Sequence, residues 1–392
     1  MYYRFVSIII IQFLINGVKS KEADCAITNK EQIDPFAVYF YVCTNTAGDC
    51  AEVSETDVTA DFLEERGFDP QEETYVLTHG FWRNHMEDWV QKMYRLLLKR
   101  GNPNVILVNW SAISRRSIFT DWRTIFRFMD YKTPVIATQY AASAIGSFLR
   151  NVSDVSGTPL KKWHKLHFIG HSLGAHVSGQ AARNLKDDME VHRVTGLDPA
   201  GPCFEGLDTK LKLSHSDAKF VDAIHTNSDS GENLNFGIHE AVATVDFYPN
   251  GGNYNPECMA KGGIPSPSGI FQGIKNAIMD VIVSISMSME KILFDPTVDM
   301  KDMALTILTR RSELICEHYM APEYFSRSLE EGSEKIMAVP KKKGELYDDD
   351  KVKCDIANCA SDTCIELGIN ADKYTKAKGS YWASTSEGDP KC

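Results

Sequence analysis

The chain has 392 residues, of which 43% are hydrophobic, and its formal net charge at pH 7 is -11. This length and apolar content are enough for one large α/β domain or two smaller ones. Because the chain is acidic and its basic residues do not collect in one stretch, the composition argues against nucleic acid as a partner and against membrane adhesion by charge alone.

The first 20 residues have the pattern of a secretory signal peptide. Arg4 precedes an apolar run from Phe5 to Leu14, and Val18-Lys19-Ser20 offers small residues at the positions that a signal peptidase reads. The apolar run is too short to span a bilayer. We therefore expect cleavage after Ser20 and a secreted, extracellular protein.

All ten cysteines follow this segment, which suits an oxidising compartment. Cys43 and Cys50 flank a polar turn between strand-like runs, so we predict a local bridge between them. The connectivity of the four C-terminal cysteines cannot be read from their spacing. These are Cys354, Cys359, Cys364 and Cys392. No histidine accompanies them, and secretion favours disulfides over a zinc site.

Short β-rich runs alternate with apolar stretches at helical spacing. The four runs are Thr74–Leu77, Val105–Val108, Leu166–Ile169 and Val194–Leu197. The stretches on either side of the third run, residues 137–152 and 173–185, have apolar residues at helical spacing. This alternation predicts the α/β class, with a mostly parallel central sheet and helices on both faces. The sequence KKKGELYDDDK, residues 341–351, is typical of a solvated loop.

Two segments match the acceptor pattern for N-glycosylation. Asn151-Val152-Ser153 falls in a predicted loop, so we predict glycosylation of Asn151. Asn109-Trp110-Ser111 also matches the pattern, but it ends a predicted strand and is the weaker candidate.

Gly170-His171-Ser172-Leu173-Gly174 fits the pattern G-x-S-x-G at the junction of a predicted strand and a predicted helix. In that context the serine lies on a sharp, strained turn, where flanking glycines avoid the crowding that side chains would cause. The helix N-terminus offers backbone N–H groups to an oxyanion. The pattern therefore predicts Ser172 as a nucleophile, against the alternative of a chance match.

A serine nucleophile needs a histidine base and an orienting carboxylate, in the chain order Ser, Asp or Glu, His. Asp198 follows Ser172 by 26 positions (198 − 172) and ends a predicted strand, which places it on the same rim of the sheet. The candidate histidines are His215, His225, His239 and His318. We expect His225 to support a neighbouring loop, but spacing alone does not choose among the four.

Five motifs occur in the order seen in the animal pancreatic lipase family. They are GHSLGAH, LDPAGPCF, SDAKFVDAIHTN, VDFYPNGG and CEHYMAPEYF, and the resemblance runs from about residue 75 to about residue 374. It implies an α/β-hydrolase fold with Ser172 as nucleophile, Asp198 as orienting acid and His318 as base. It also implies that the backbone N–H groups of Phe81, in the sequence HGF, and Leu173 form the oxyanion hole.

The resemblance further implies a disulfide between Cys258 and Cys316, closing a loop of 57 residues (316 − 258 − 1) over the site. Within it, the apolar residues between Ile270 and Ile292 share one helical face, which either faces the core or belongs to a mobile lid. The loop between His225 and Val245 is also long. Two long loops suit bulky neutral acylglycerols.

The resemblance thus predicts a secreted triacylglycerol lipase that works at the surface of a lipid droplet, micelle or membrane. Phospholipase A1 or galactolipase activity is the close alternative. A non-catalytic lipid-binding homologue of the yolk-protein type is the second alternative. Since 74 residues follow His318 (392 − 318), we expect residues 21–392 to form one catalytic domain without a C-terminal β-sandwich, and we expect no dependence on colipase.

The chain also departs from the family pattern around the site. A usual arginine is Met320, the usual V-D-W is Val108-Asn109-Trp110, and the usual G-H-x-D-F reads ATVDF at residues 243–247. A calcium site of some relatives would draw on residues 209–217. Because Thr209 and Ser214 stand where acidic ligands would be expected and only Asp217 is kept, we expect no calcium, no other metal and no cofactor.

Overall fold

The structure is a computed structural model that describes residues 38–81, 83–114, 132–228, 235–260, 315–360, 363–386, 388 and 392. The signal-peptide segment lies outside these residues. So does the predicted amphipathic helix between residues 270 and 292. Both therefore stay predictions.

One mixed sheet organises the described part of the chain. Its strands are β1 (Tyr39–Cys43), β2 (Cys50–Ser54), β3 (Glu73–Thr78), β4 (Asn104–Asn109), β5 (Lys165–His171), β6 (Arg193–Leu197), β7 (Phe220–Ile224), β8 (Val245–Pro249), β9 (Met337–Pro340), β10 (Ile365–Glu366) and β11 (Gly379–Ala383). Their order across the sheet is β10-β9-β11-β8-β7-β6-β5-β3-β4-β1-β2. In this order, every neighbouring pair from β11 across to β4 is parallel. The antiparallel pairs lie at the two edges, β10–β9 and β9–β11 at one and β4–β1 and β1–β2 at the other.

Helices cover the sheet on both faces. They are α1 (Ala60–Arg66), α2 (Asp88–Leu98), α3 (Ser111–Ser114), α4 (Lys132–Val155), α5 (Leu173–Asn184), α6 (Pro256–Ala260), α7 (315–327) and α8 (Asp349–Ala357). Helices α4 and α5 share one core cluster, α2 and α7 share a second, and α8 contributes Val352 to a third. Among the helices so described, none is both long and apolar enough to cross a membrane.

Strand β3 shows why its sequence is apolar without alternation. Val76 points into the cluster of α4 and α5, whereas Tyr75 and Leu77 point into the cluster of α2 and α7. A strand buried on both faces has no polar side to display. The predicted α/β class, with a mostly parallel sheet and helices on both faces, is confirmed.

The predicted loop at residues 341–351 is wrong in part. Helix α8 begins at Asp349, inside that stretch, and the side chain of Asp348 caps it by accepting a hydrogen bond from the Lys351 N–H at 3.0 Å. Lys341 is only partly exposed, and its Nζ lies 4.2 Å from the centre of the Trp382 ring. Lys342 and Lys343 are exposed as predicted, whereas the acidic end of the stretch forms the N-terminus of α8, where negative charges interact favourably with the helix dipole.

The predicted loop position of Asn151 is also wrong. The residue lies inside helix α4, and its Nδ2 donates a hydrogen bond to the carbonyl oxygen of Glu55 at 2.7 Å. Attachment of a glycan would replace one of the two hydrogens of this amide, on a side chain that already packs against Glu55. The glycosylation pattern depends on three residues only, whereas the apolar periodicity of residues 137–152 decides that the backbone is helical there.

Disulfides account for the cysteines whose pairing was left open. Cys354 pairs with Cys392 and Cys359 with Cys364, so these four sulfurs are not available as zinc ligands. The predicted local bridge between Cys43 and Cys50 is confirmed, and it closes the hairpin of β1 and β2.

Candidate active site

Ser172 lies at the turn between β5 and α5 with backbone angles φ 58° and ψ -124°, which are unusual for a residue with a side chain. The turn is tight because its neighbours lack side chains. A Cβ on Gly170 would lie 2.1 Å from the carbonyl oxygen of Gly174, and a Cβ on Gly174 would lie 2.3 Å from that of Thr78. Packing of α5 onto β3 and β5 therefore requires both glycines of the pattern.

Asp198 follows β6, the strand next to the one that carries Ser172. Its side chain is fully buried, and its Oδ1 accepts hydrogen bonds from the N–H groups of Thr226 at 2.8 Å and Asn227 at 3.1 Å. Its Oδ2 accepts a hydrogen bond of 2.6 Å from Nδ1 of His318. Two backbone donors thus fix the carboxylate so that its second oxygen faces the imidazole.

His318 comes from helix α7 and reaches Asp198 across 120 residues of sequence. Since Nδ1 donates to the carboxylate, the neutral ring has its lone pair on Nε2, where a base needs it. Among the residues that the structure describes, the hydrogen bond of this ring is to Asp198 and not to Ser172 Oγ. Such bonds are often long before substrate binds. The disulfide from Cys316 to Cys258 ties the start of α7 to α6, and it is the pair that the resemblance implied.

His171 joins the serine turn to the histidine helix, a role that the sequence pattern did not reveal. Its Nε2 donates to the carbonyl oxygen of His318 at 2.9 Å, and the two rings lie 4.4 Å apart. Burial lowers the pKa of His171 well below its usual range, so the ring stays neutral. In the G-x-S-x-G pattern this position is free to vary, so only the fold could show the contact.

The HGF sequence, residues 79–81, brings its backbone at Gly80 close to Ser172. A Cβ on Gly80 would lie 2.9 Å from the Cβ of Ser172. Nδ1 of His79 donates to the carbonyl oxygen of Gly80 at 2.8 Å, and Nε2 of His79 faces the Trp110 N–H at 3.3 Å. In a trans peptide the N–H points opposite to the carbonyl, so this orientation turns the Phe81 N–H away from His79.

The remaining candidate histidines have other partners. His225 contacts Asp246 Oδ1 at 2.9 Å and the carbonyl oxygen of Ile238 at 3.0 Å, and the expectation that it supports a loop is confirmed. His239 contacts the carbonyl oxygen of Ser228 at 2.7 Å. His215 is exposed. Of the four, the structure brings His318 to Asp198.

A metal centre has little support from the side chains. Over the ranges that the structure covers, no group of three or more His, Cys, Asp or Glu residues is placed to hold an ion. In the 209–217 loop, where calcium was considered, the oxygens of Thr209, Lys212 and Asp217 accept hydrogen bonds from Arg183.

Comparison with known proteins gives a family match. The model of a family described as Lipase matches residues 15–279, more than half of the chain. The match includes Ser172 and Asp198 but ends before His318. The contact between His318 and Asp198 therefore comes from the structure and not from the family match.

Similar curated proteins include mouse pancreatic lipase-related protein 2, 35% identical over 229 residues, with 57% of this chain and 43% of that protein covered. Mouse hepatic triacylglycerol lipase is 35% identical over 199 residues, covering 50% of this chain and 36% of the relative. Human pancreatic triacylglycerol lipase is 36% identical over 192 residues, covering 49% and 37%. The matches thus span less than half of each relative's length.

Solved structures give weaker similarity. A dienelactone hydrolase from Anabaena variabilis has a TM-score of 0.27 and 12% identity, with 48% of this chain and 73% of that chain covered. A predicted CIB-like hydrolase from Thermoplasma acidophilum has a TM-score of 0.25 and 16% identity, with 50% and 71% covered. These scores are too low to carry an argument, so the fold assignment rests on the sheet order and the turn at Ser172.

Proposed function

The chain belongs to the animal pancreatic lipase family, and from this premise we propose that it is a secreted serine hydrolase that cleaves carboxylic esters of acylglycerols. The observation that carries the proposal is the 2.6 Å hydrogen bond between His318 Nδ1 and Asp198 Oδ2, beside a serine held on a strained turn. Ser172 and Asp198 are two of four described non-glycine residues with a positive φ, at 58° and 43°, and such strained residues cluster at functional sites. The same arrangement disfavours the non-catalytic alternative, which has no use for an oriented imidazole.

In the proposed mechanism, Ser172 Oγ attacks the ester carbonyl while Nε2 of His318 takes the hydroxyl proton. Asp198 holds the ring in the tautomer that leaves Nε2 as acceptor and stabilises the imidazolium that forms. His318 then gives its proton to the departing alcohol, and an acyl-enzyme remains on Ser172. Water, deprotonated by the same imidazole, hydrolyses this ester and releases the fatty acid.

The backbone stabilises the negative charge on the carbonyl oxygen in this scheme. The Leu173 N–H belongs to the first turn of α5, and such N–H groups have no partner within their helix. The Phe81 N–H is the second proposed donor, oriented by the bond from His79 to Gly80. Both dipoles are in place before the reaction, so they cost no reorganisation when charge develops.

Covalent labelling tests the catalytic role directly. We expect an alkyl fluorophosphonate to form one phosphonyl ester, on Ser172, with loss of fluoride, and we expect mass spectrometry to locate it on the peptide containing residues 170–174. The same reagent applied to Ser172→Ala and to the heat-unfolded chain serves as the control. Absence of an adduct on the folded protein would favour a lipid carrier.

We propose triacylglycerol as the preferred substrate, because relatives of this chain are named triacylglycerol lipases. Phospholipase A1 or galactolipase activity is the alternative. We expect emulsified trioleoylglycerol to be cleaved at least about tenfold faster than phosphatidylcholine in mixed micelles, a difference of ~1.4 kcal/mol in activation free energy. Titration of released fatty acid measures both rates, with Ser172→Ala as the blank. Equal rates, or a faster phospholipid rate, would reverse the assignment.

A further inference from the structure

The loop of residues 209–217 is fastened to α5, the helix that follows the candidate nucleophile. His176 Nδ1 accepts a hydrogen bond from the Leu213 N–H at 3.0 Å, and Gln180 Nε2 donates to the carbonyl oxygen of Leu211 at 2.8 Å. With Arg183, these residues lie on one face of the helix, because they are separated by four and three positions. The loop connects the segment after Asp198 to strand β7.

The guanidinium of Arg183 is surrounded by oxygen atoms of this loop. It donates to the carbonyl oxygens of Thr209 at 3.0 Å and Lys212 at 2.9 Å, and also to that of Lys210. Asp217 Oδ1 accepts from its Nε at 3.0 Å and from Nη2 at 2.7 Å. Three carbonyl oxygens and a carboxylate make up the kind of ligand set that a hard divalent cation uses.

We propose that the positively charged Arg183 guanidinium binds the oxygens of this loop in the place of a metal ion, and that the loop folds without calcium. The residues do not fit calcium in its place. Calcium takes six to eight oxygen ligands, usually with several carboxylates, whereas among the described residues Asp217 is the one carboxylate that contacts Arg183. Both oxygens of Asp217 are already engaged, Oδ1 with Arg183 and Oδ2 with the Ser214 N–H at 2.9 Å.

The pair is buried enough for the guanidinium to matter. The Asp217 side chain is fully buried and that of Arg183 is 25% exposed. A Cβ on Gly179 would lie 2.5 Å from Asp217 Oδ2, so the helix packs directly on the carboxylate. Burial raises the pKa of Asp217 to about 6, and the Arg183 charge opposes that rise. Removal of the guanidinium leaves a buried carboxylate with no neutralising partner at pH 8.

Thermal unfolding tests the proposal, independently of the catalytic assignment. For the wild-type protein we expect the same Tm in 5 mM EDTA and in 5 mM CaCl₂. Arg183→Ala should lower Tm by about 5 °C at pH 8, since a buried charge loses its partner. Arg150→Ala is the matched control. It removes another arginine–aspartate pair, with Asp188, but Arg150 is 41% exposed, so a shift of at most about 1 °C is expected.

The pH dependence separates a lost charge from lost packing. Without Arg183 the pKa of Asp217 rises further above its ordinary value. The folded wild type loses stability as the pH rises from the ordinary pKa of an aspartate to about 6, whereas the variant continues to lose stability above that pH. The Tm difference should therefore be large at pH 8 and smaller at pH 5. His215, which also faces Asp217, is the same in both proteins. In the background of Asp217→Asn the effect of Arg183→Ala should no longer depend on pH.

Two outcomes would overturn the proposal. One is a wild-type Tm that falls in EDTA and recovers with CaCl₂, which would show a calcium site. The other is an Arg183→Ala protein that melts with the wild type at pH 8, which would show that the loop does not need the guanidinium.

Discussion

Replacement of Ser172 by alanine is expected to lower kcat for ester hydrolysis by about 10⁴- to 10⁶-fold. The variant keeps the oxyanion donors and the imidazole but has no atom that can form the acyl-enzyme. Because alanine meets the same backbone strain at φ 58° as serine does, Tm should change by no more than about 2 °C. Steady-state hydrolysis of a soluble short-chain ester, together with differential scanning fluorimetry, measures both quantities.

Ser178 supplies the matched control for this experiment. It is a buried serine on the same helix α5, and its Oγ has no hydrogen-bond partner among the described atoms. Ser178→Ala removes the same hydroxyl from a position with no role in the reaction, so kcat should stay within about twofold of wild type. If Ser172→Ala also kept most of its activity, another residue would have to be the nucleophile.

The parts of the fold that could be predicted from the sequence are those decided by local patterns. The apolar runs at β3 to β6 indicate strands buried on both faces, since they do not alternate and, between turn signals, are too short for helices. The glycines at positions 170 and 174 predict a close approach, and the contact of 2.3 Å that a Cβ on Gly174 would make with Thr78 explains it. Ser172 and Asp198 follow from these strands, because each lies just beyond a strand's C-terminal end.

What could not be predicted depends on contacts between distant segments. Two buried Asp–His contacts occur among the described residues, Asp198 with His318 and Asp246 with His225, and no spacing distinguishes them. Helix α7 follows β8 in the chain and brings His318 to Asp198 across 120 residues of sequence. The contact of His171 with His318 is of the same kind.

Local sequence patterns also gave wrong predictions where a second pattern in the same residues decided the structure. The tripeptide at Asn151 predicted an exposed acceptor, but the apolar face of the same stretch belongs to helix α4 and places the residue against Glu55. The charges before and after Tyr347 predicted solvent exposure. Instead the tyrosine Oη donates to Asp349 at 2.6 Å while its ring packs near Trp382, so a charged sequence covers an aromatic cluster.

Asp198→Asn is expected to lower kcat by about 10⁴-fold with little change in stability. The two backbone N–H groups of Thr226 and Asn227 will bind the oxygen of the new amide, as they now bind Oδ1 of the carboxylate. The amide nitrogen then faces His318, so Nδ1 must become the acceptor and the proton moves to Nε2. A ring protonated at Nε2 cannot take the proton of Ser172. The tautomer is wrong even though the side chains still fit.

Asp222→Asn is the control that separates this effect from a loss of buried charge. Asp222 is also fully buried, and it accepts three hydrogen bonds, at 2.8 and 2.7 Å from Arg193 and at 2.7 Å from Thr195. Arg193 begins β6 and Asp198 follows its end, about 16 Å away at ~3.3 Å per residue. We expect Tm to fall by about 4–6 °C, because Arg193 keeps a buried charge, while kcat per folded molecule stays unchanged. A similar kcat for Asp198→Asn and Asp222→Asn would mean that the carboxylate at His318 supports only the fold, since a tautomer effect can arise only at the residue that touches the ring.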